Sequence, residues 1–140
     1  KINNFQKNRF AEKLIRHKKI INKVLILGWA FKKDTNDSRE SASIDITNRL
    51  LDEKIEVGVY DPMVSEKQIN FDISNSRKEN FSIKIYNDIK IAIKDNLYAG
   101  IITEWDEFRN IDFKALNPKI EIFDGRGILD TSNTIYSIGK

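Results

Sequence analysis

The sequence predicts an α/β fold in which an open, mostly parallel sheet carries helices on both faces and is preceded by an N-terminal helix. Short apolar runs alternate with helix-like stretches along the chain. The first run, residues 23–28 (KVLILG), is apolar almost throughout, which is typical of a strand buried on both faces of a parallel sheet. A strand, a helix and a second strand follow one another between residues 23 and 60, and this succession forms a βαβ unit.

Each element follows from its local pattern. Residues 3–17 predict a helix, because Phe10 and Leu14 lie four apart on one face. No N-cap residue precedes this helix, so we expect the chain to begin within it and further sequence to lie upstream. Ser41 can cap the next helix, in which Ile46 and Leu50 again lie four apart. We predict further strands at 56–60, 82–86, 97–103, 120–123 and 134–138, short helices at 88–94 and 112–116, and a variable excursion at 63–80. This rhythm is that of a doubly wound, Rossmann-like sheet.

Length and composition indicate one ordinary soluble domain. The chain has 140 residues, of which 40% are hydrophobic and 32% charged. It contains no cysteine, which excludes disulfides, thiolate metal sites and a cysteine nucleophile within it. No run approaches the roughly 18 apolar residues of a membrane span, and the N-terminus lacks the apolar core of a signal peptide. We therefore expect a cytoplasmic protein with no membrane partner.

Charge and the remaining reactive side chains exclude several classes of function. The net charge is +3, and residues 1–23 hold eight Lys and Arg against one acidic residue, Glu12. A solvated helix face explains the basic charge of that stretch. The sequence lacks the interleaved aromatic and basic residues that would predict nucleic-acid binding. His17 is the only histidine, so a Ser-His-Asp triad has no support. Glu104 and Asp106 flank Trp105 without the context of a glycosidase pair, and no cluster has metal-ligand spacing.

Three cations lie after predicted strands. Lys32 and Arg39 are in the loop after the first strand, and Arg126 follows the strand at 120–123. Ligands of open α/β sheets bind beyond the carboxyl ends of the strands. A diphosphate there is held by a lysine charge, bidentate guanidinium groups and a helix N-terminus, and the helix that begins near Ser41 supplies the last. The alternative is that the cations pair with acidic side chains nearby in sequence, which are Asp34, Asp37 and Asp124.

The first strand ends on Gly28, but the turn after it is not a dinucleotide turn. A G-x-G-x-x-G fingerprint needs glycine at positions 30 and 33, where this chain has Ala30 and Lys33. No G-x-x-x-x-G-K-[ST] phosphate loop occurs either. We therefore expect that this domain does not cradle the pyrophosphate of NAD in its own first turn.

Four motifs in the same order resemble those of the UDP-glucose 6-dehydrogenases, within the UDP-glucose/GDP-mannose dehydrogenase family. They are residues 26–41 (ILGWAFKKDTNDSRES), 59–62 (VYDP), 103–108 (TEWDEF) and 123–126 (FDGR). Residues 4–10 (NFQKNRF) look like the end of the helix that joins the family's two domains. The resemblance implies that residues 1–20 end the interdomain, dimerising helix and that residues 21–140 form the C-terminal, UDP-sugar-binding domain.

The family oxidises the C6 alcohol of a UDP-sugar to a carboxylate through two hydride transfers to NAD. An N-terminal domain binds the NAD and supplies a cysteine that forms a thioester, and this chain has neither. The resemblance implies a C-terminal half that binds UDP-glucose, works with the NAD-binding domain of the same protein and belongs to a homo-oligomer. It is not catalytic by itself.

The resemblance also assigns roles to single residues. Phe31 and Lys32 are expected to contact UDP-glucose, and Arg126 to hold its UDP end. Arg39 is expected to reach across the domain interface towards the NAD diphosphate. No catalytic residue and no metal ligand is assigned to this chain. Two features depart from the pattern: Trp29 replaces a Leu or Phe, and the stretch 130–134 is short where relatives insert a helix.

Two other functions stay open at this point. The first is a related dehydrogenase that acts on a UDP-N-acetyl sugar or on GDP-mannose, because the residues that recognise the base and the C2 substituent lie partly upstream. The second is a non-catalytic module that binds a nucleotide sugar. The start within a helix argues against such a module.

Overall fold

The computed structural model describes residues 21–127 and the backbone of residues 136–137. The expected N-terminal helix, and all of residues 1–20, lie outside the described residues. In the described part of the chain, six strands form one sheet in the order β3-β2-β1-β4-β5-β6, and each neighbouring pair is parallel. The strands are β1 (Lys23–Leu27), β2 (Glu56–Tyr60), β3 (Ile83–Ile85), β4 (Tyr98–Ile101), β5 (Glu121–Asp124) and β6 (Tyr136–Ser137). The predicted α/β class with a parallel sheet is confirmed.

Within residues 21–127, five helices connect the strands: α1 (Ala42–Asp52), α2 (Glu66–Ser76), α3 (Ile89–Asp95), α4 (Asp106–Asn110) and α5 (Phe113–Leu116). The chain moves outwards from β1 to β3, then returns to the middle of the sheet and moves outwards the other way from β4. Because parallel crossovers are right-handed, the first two helices lie on one face and the later ones on the opposite face. The packing of α1 on α2 and of α3 on α5 agrees with this arrangement.

The core lies between the sheet and these two helical layers. The last four residues of β1 are fully buried, as expected for a central parallel strand. Helix α1 begins because the Ser41 side chain accepts a hydrogen bond from the Ser43 N–H. It packs on the sheet through Ile46 and Leu50, which are both 0% exposed. Burying such side chains stabilises the fold by roughly 1.5–3 kcal/mol each.

The stretch 63–80 is not the excursion that the sequence predicted, because it contains the eleven-residue helix α2. Ser65 begins this helix by accepting a hydrogen bond from the Gln68 N–H at 3.1 Å. Only Ile69 and Ile73 of the helix are buried, while Phe71 is 56% exposed. The apolar stripe is therefore too narrow to show clearly in the sequence. The short helix α4 was also missed.

Candidate functional site

The strand order places a ligand crevice between β1 and β4. These neighbouring strands lead into connections that run in opposite directions, and ligands of doubly wound sheets bind at such a switch point. Three segments meet there: the loop of residues 28–41 after β1, residues 102–105 after β4, and residues 125–127 after β5. They carry three of the four motifs singled out in the sequence.

Gly28 lets the chain leave β1 close to β4. Its φ of +104° is one that side-chain-bearing residues rarely adopt. A Cβ at this position would lie 2.4 Å from the Cβ and Oγ1 of Thr103. Thr103 donates its hydroxyl to the carbonyl of Ala30 at 2.7 Å. The space beside Gly28 is thus filled by the side chain of Thr103.

The buried Asp61 fixes the beginning of the 28–41 loop. It follows β2 and is 8% exposed. Its carboxylate accepts five hydrogen bonds from described residues: the backbone N–H groups of Trp29 (2.6 Å), Ala30 (3.0 Å), Met63 (2.8 Å) and Val64 (3.0 Å), and the indole N–H of Trp105 (3.1 Å). Asp61 stands where dinucleotide-binding folds place a ribose-binding acid, but here both oxygens are engaged within the protein.

The rest of the loop is held by hydrogen bonds to helix α2 and by a hydrogen bond within the loop. Asp72 on α2 accepts hydrogen bonds from the indole N–H of Trp29 at 2.9 Å and from the hydroxyl of Ser38 at 2.5 Å. The Phe31 N–H donates to the carbonyl of Asp37 at 2.9 Å. These hydrogen bonds tie the loop to helix α2 and to itself, and such preorganisation lowers the entropic cost of binding a ligand.

A narrow cleft opens at the N-terminus of α1. Its walls are Ala30, Phe31, Glu40, Ser41, Ala42, Ile102 and Arg126. It admits about 10 Å³, far less than the roughly 300–1,000 Å³ of an enclosed ligand site. The residues around this cleft thus line a shallow recess and do not enclose a ligand-sized pocket. The structure brings Phe31 and Arg126 together at this cleft.

Arg126 is held in place by its own turn and by Glu104. The buried Asp124 accepts hydrogen bonds from the backbone N–H groups of Arg126 at 3.1 Å and Gly127 at 2.7 Å. The Nη2 of Arg126 donates to Oε2 of Glu104. The side chain of Arg126 is 10% exposed and that of Glu104 21%, so this ion pair is largely shielded from water.

The two neighbouring lysines have different environments. Lys32 is exposed, and its Nζ lies 5.5 Å from the centre of the Phe31 ring, within the range of a cation–π contact. It is not one of the residues that line the cleft. Lys33 forms an exposed ion pair with Asp106 at 3.4 Å, and its backbone N–H donates to Oε1 of Glu104 at 3.1 Å.

Arg39 lies away from the cleft wall, with its side chain 88% exposed. It forms a bidentate pair with Asp37, with Nε–Oδ1 and Nη2–Oδ2 distances of 3.0 and 2.8 Å. The hydrogen bonds between these two side chains lower the pKa of Asp37 to about 2 and raise the pKa of Arg39. The predicted alternative of pairing with a nearby acid is thus correct for Arg39, whereas Arg126 pairs with Glu104.

Sequence reasoning missed the carboxylates that organise this site. Asp61 and Glu104 were singled out only as members of motifs or of a rejected glycosidase pair, and Asp72 lies in the stretch predicted as an excursion. Among the described residues, no group of three or more His, Asp or Glu side chains could hold a metal ion. No helix in the described part of the chain is long and apolar enough to cross a membrane.

A family comparison decides the identity of this fold and site. A model of the UDP-glucose/GDP-mannose dehydrogenase family, UDP binding domain, matches residues 25–135. The chain belongs to this family. The match includes the 28–41 loop, Glu104 and Arg126, so the family domain contains the whole cleft wall.

Individual relatives agree with this assignment. The chain is 36% identical over 170 residues to UDP-glucose 6-dehydrogenase 1 of Arabidopsis thaliana, with all of this chain and 35% of the relative covered. UDP-glucose 6-dehydrogenase 1 of Glycine max is 35% identical over 167 residues, with the same coverage. The chain thus spans about a third of the length of these relatives.

Solved structures share the fold. A UDP-glucose dehydrogenase from Pyrobaculum islandicum superposes with a TM-score of 0.76 at 22% identity, covering 98% of this chain and 30% of that one. The UDP-N-acetyl-mannosamine dehydrogenase of Staphylococcus aureus gives a TM-score of 0.69 at 27% identity, covering 99% of this chain and 31% of that one. By the family match, residues 25–135 are a UDP binding domain, and this range includes the residues that line the cleft.

Proposed function

We propose that this chain is the UDP-glucose-binding half of an NAD-dependent UDP-glucose 6-dehydrogenase. The reaction oxidises the C6 alcohol of UDP-glucose to the carboxylate of UDP-glucuronate through two hydride transfers to NAD. The observation that carries the proposal is that Phe31 and Arg126, which lie 95 positions apart in the sequence, both line the cleft at the N-terminus of α1.

Three positively charged groups at this cleft, whose wall also contains the acidic Glu40, suit a diphosphate. The N-terminus of α1 carries a partial positive charge of roughly half an elementary charge, and backbone N–H groups of a first helical turn are natural anion ligands. Arg126 offers a planar fork for bidentate bonds to phosphate oxygens. The exposed Lys32 is a flexible point charge that can reach over the rim of the cleft.

The role of the chain in catalysis is to position the substrate. Family resemblance gives the reaction a cysteine nucleophile, and this chain contains no cysteine. We infer that the nucleophile and most of the NAD contacts belong to an N-terminal domain of the same protein, with Arg39 reaching the NAD diphosphate across the interface. Holding the C6 carbon in an attack geometry accounts for the contribution of this half to the rate. We also infer a cytoplasmic homo-oligomer.

UDP-glucose is favoured over other nucleotide sugars by sequence similarity. The relatives that are 34–36% identical to the chain carry the name UDP-glucose 6-dehydrogenase, while among solved structures a UDP-glucose dehydrogenase and a UDP-N-acetyl-mannosamine dehydrogenase both share the fold. A dehydrogenase of a UDP-N-acetyl sugar or GDP-mannose is therefore the second candidate. A non-catalytic binding module would keep the cleft and lack a partner domain.

Calorimetric titration of the 140-residue chain with UDP-glucose tests the proposal. We expect weak binding that Lys32→Ala and Arg126→Ala each weaken by roughly tenfold or more, since a hydrogen bond to a charged group contributes about 1.5–3 kcal/mol. Lys67→Ala is the matched control. Lys67 is exposed on α2, and its substitution removes the same charge at a position away from the cleft. Equal effects of all three substitutions would show that only nonspecific charge attracts the ligand.

A further inference from the structure

Glu104 connects the two loops that carry the proposed UDP-glucose ligands. Its Oε1 accepts the backbone N–H of Lys33 at 3.1 Å, directly after Lys32. Its Oε2 accepts a hydrogen bond from Nη2 of Arg126. One carboxylate that follows β4 thus ties the loop after β1 to the turn after β5.

The burial of these contacts separates Glu104 from an ordinary surface acid. Its side chain is 21% exposed and that of Arg126 is 10% exposed. The neighbouring pair of Lys33 and Asp106 is 41% and 64% exposed, and water screens such a pair strongly. Removing the Glu104 charge would leave a mostly buried guanidinium group without its counter-ion, and that group would then reorient.

We infer that Glu104 is a positioning residue for nucleotide-sugar binding. It aims the Arg126 guanidinium group at the cleft beside α1, and it fixes the backbone next to Lys32. This inference rests on the proposed function and adds to it a residue that does not itself line the cleft. A guanidinium group has five N–H donors. Glu104 accepts from one N–H of Nη2, which leaves the other donors of the group for phosphate oxygens while the ion pair persists.

A double-mutant cycle on the 140-residue chain tests this role, with UDP affinity measured by calorimetry. Glu104→Gln keeps the size and one oxygen but removes the charge. We expect it to weaken UDP binding about tenfold in the unsubstituted background and less than about twofold in the Arg126→Ala background. Asp106→Asn removes the same charge two residues away and is expected to leave UDP affinity unchanged.

Each outcome has one meaning. Equal losses in both backgrounds would show a general structural role for Glu104 and would overturn the inference. Tighter UDP binding by Glu104→Gln would also overturn it, because Glu104 would then compete with the phosphate for Arg126. UDP binding that this substitution does not change leaves the proposed function standing and removes the inference alone. If the unsubstituted chain binds no UDP, the same cycle is run on the protein with its N-terminal domain present, where equal losses in both backgrounds, or no loss at all, would overturn the inference.

Circular dichroism establishes that each variant is folded. If Glu104→Gln is unfolded, the same cycle is run with Glu104→Asp, which keeps the charge and shortens its reach by one methylene. The expected result is again a loss of UDP affinity that disappears in the Arg126→Ala background.

Discussion

Replacing Asp61 by Asn should strongly destabilise the domain. Asp61 is 8% exposed, and its two oxygens accept five hydrogen bonds from described residues. Asn has one oxygen, so its amide nitrogen must face either the three donors at Oδ2 or the two at Oδ1. Each buried donor left without an acceptor costs about 1–3 kcal/mol. With two donors lost, we expect the free energy of unfolding to fall by about 4 kcal/mol.

Urea denaturation followed by tryptophan fluorescence measures this change. The indole of Trp105 donates directly to Asp61, so the emission should also respond in the folded state. Asp106→Asn is the matched control, because Asp106 is 64% exposed and such surface ion pairs contribute about 0–1 kcal/mol. A loss below about 1 kcal/mol for Asp61→Asn would refute the view that Asp61 holds the 28–41 loop.

Three further perturbations test single features of the structure. Gly28→Ala should lower the melting temperature in a thermal scan, because its Cβ would lie 2.4 Å from Thr103 at a φ of +104°; an unchanged melting temperature would contradict that close approach. Ser65→Ala should cost about 1 kcal/mol in urea denaturation through loss of the α2 N-cap, and no change would mean that the cap bond is absent in solution. Arg39→Ala should raise the pKa of Asp37 from about 2 towards its ordinary 3.8 in a carboxyl NMR titration. Because that pKa is depressed by folding, the stabilisation from this pair is present above about pH 4 and is lost as the pH falls towards 2; a pKa near 2 in the variant would exclude Arg39 as its cause.

The strands and their ends could be predicted from the sequence because parallel strands are nearly continuous apolar runs. The prediction of residues 56–60 as a strand matches β2, and Ser41 does cap the following helix. Strand order could not be predicted, because it depends on pairing between distant segments and not on local pattern. The return of β4 to the side of β1 creates the switch point.

Helix α2 was missed although the sequence contains a usable signal. Ser65 and Gln68 have the S-x-x-Q spacing of a capping box, and the structure contains the expected bond from the Gln68 N–H to Ser65. The polar composition of residues 63–80 outweighed this signal. The buried face of α2 is formed by Ile69 and Ile73, too few residues to give a clear helical periodicity.

Of the three cations proposed from the sequence, Arg126 lines the cleft, but the carboxylates that hold this region could not be predicted. Arg126 follows a predicted strand, which already places it at the ligand edge. Glu104 contacts Lys33 across 71 positions, and Asp61 contacts Trp29 across 32. Such contacts come from tertiary packing, and a carboxylate in one sequence does not reveal which distant donor it accepts.

The central claim is that the wall formed by Phe31, Arg126 and the start of α1 binds a UDP-sugar. Backbone NMR shifts of the 140-residue chain, recorded during titration with UDP-glucose, UDP, GDP-mannose and NAD, test it most directly. We predict shifts clustered at residues 31–33 and 125–127, larger for the UDP ligands than for the other two. Shifts of equal size for all four ligands, or a cluster away from the N-terminus of α1, would contradict the assignment.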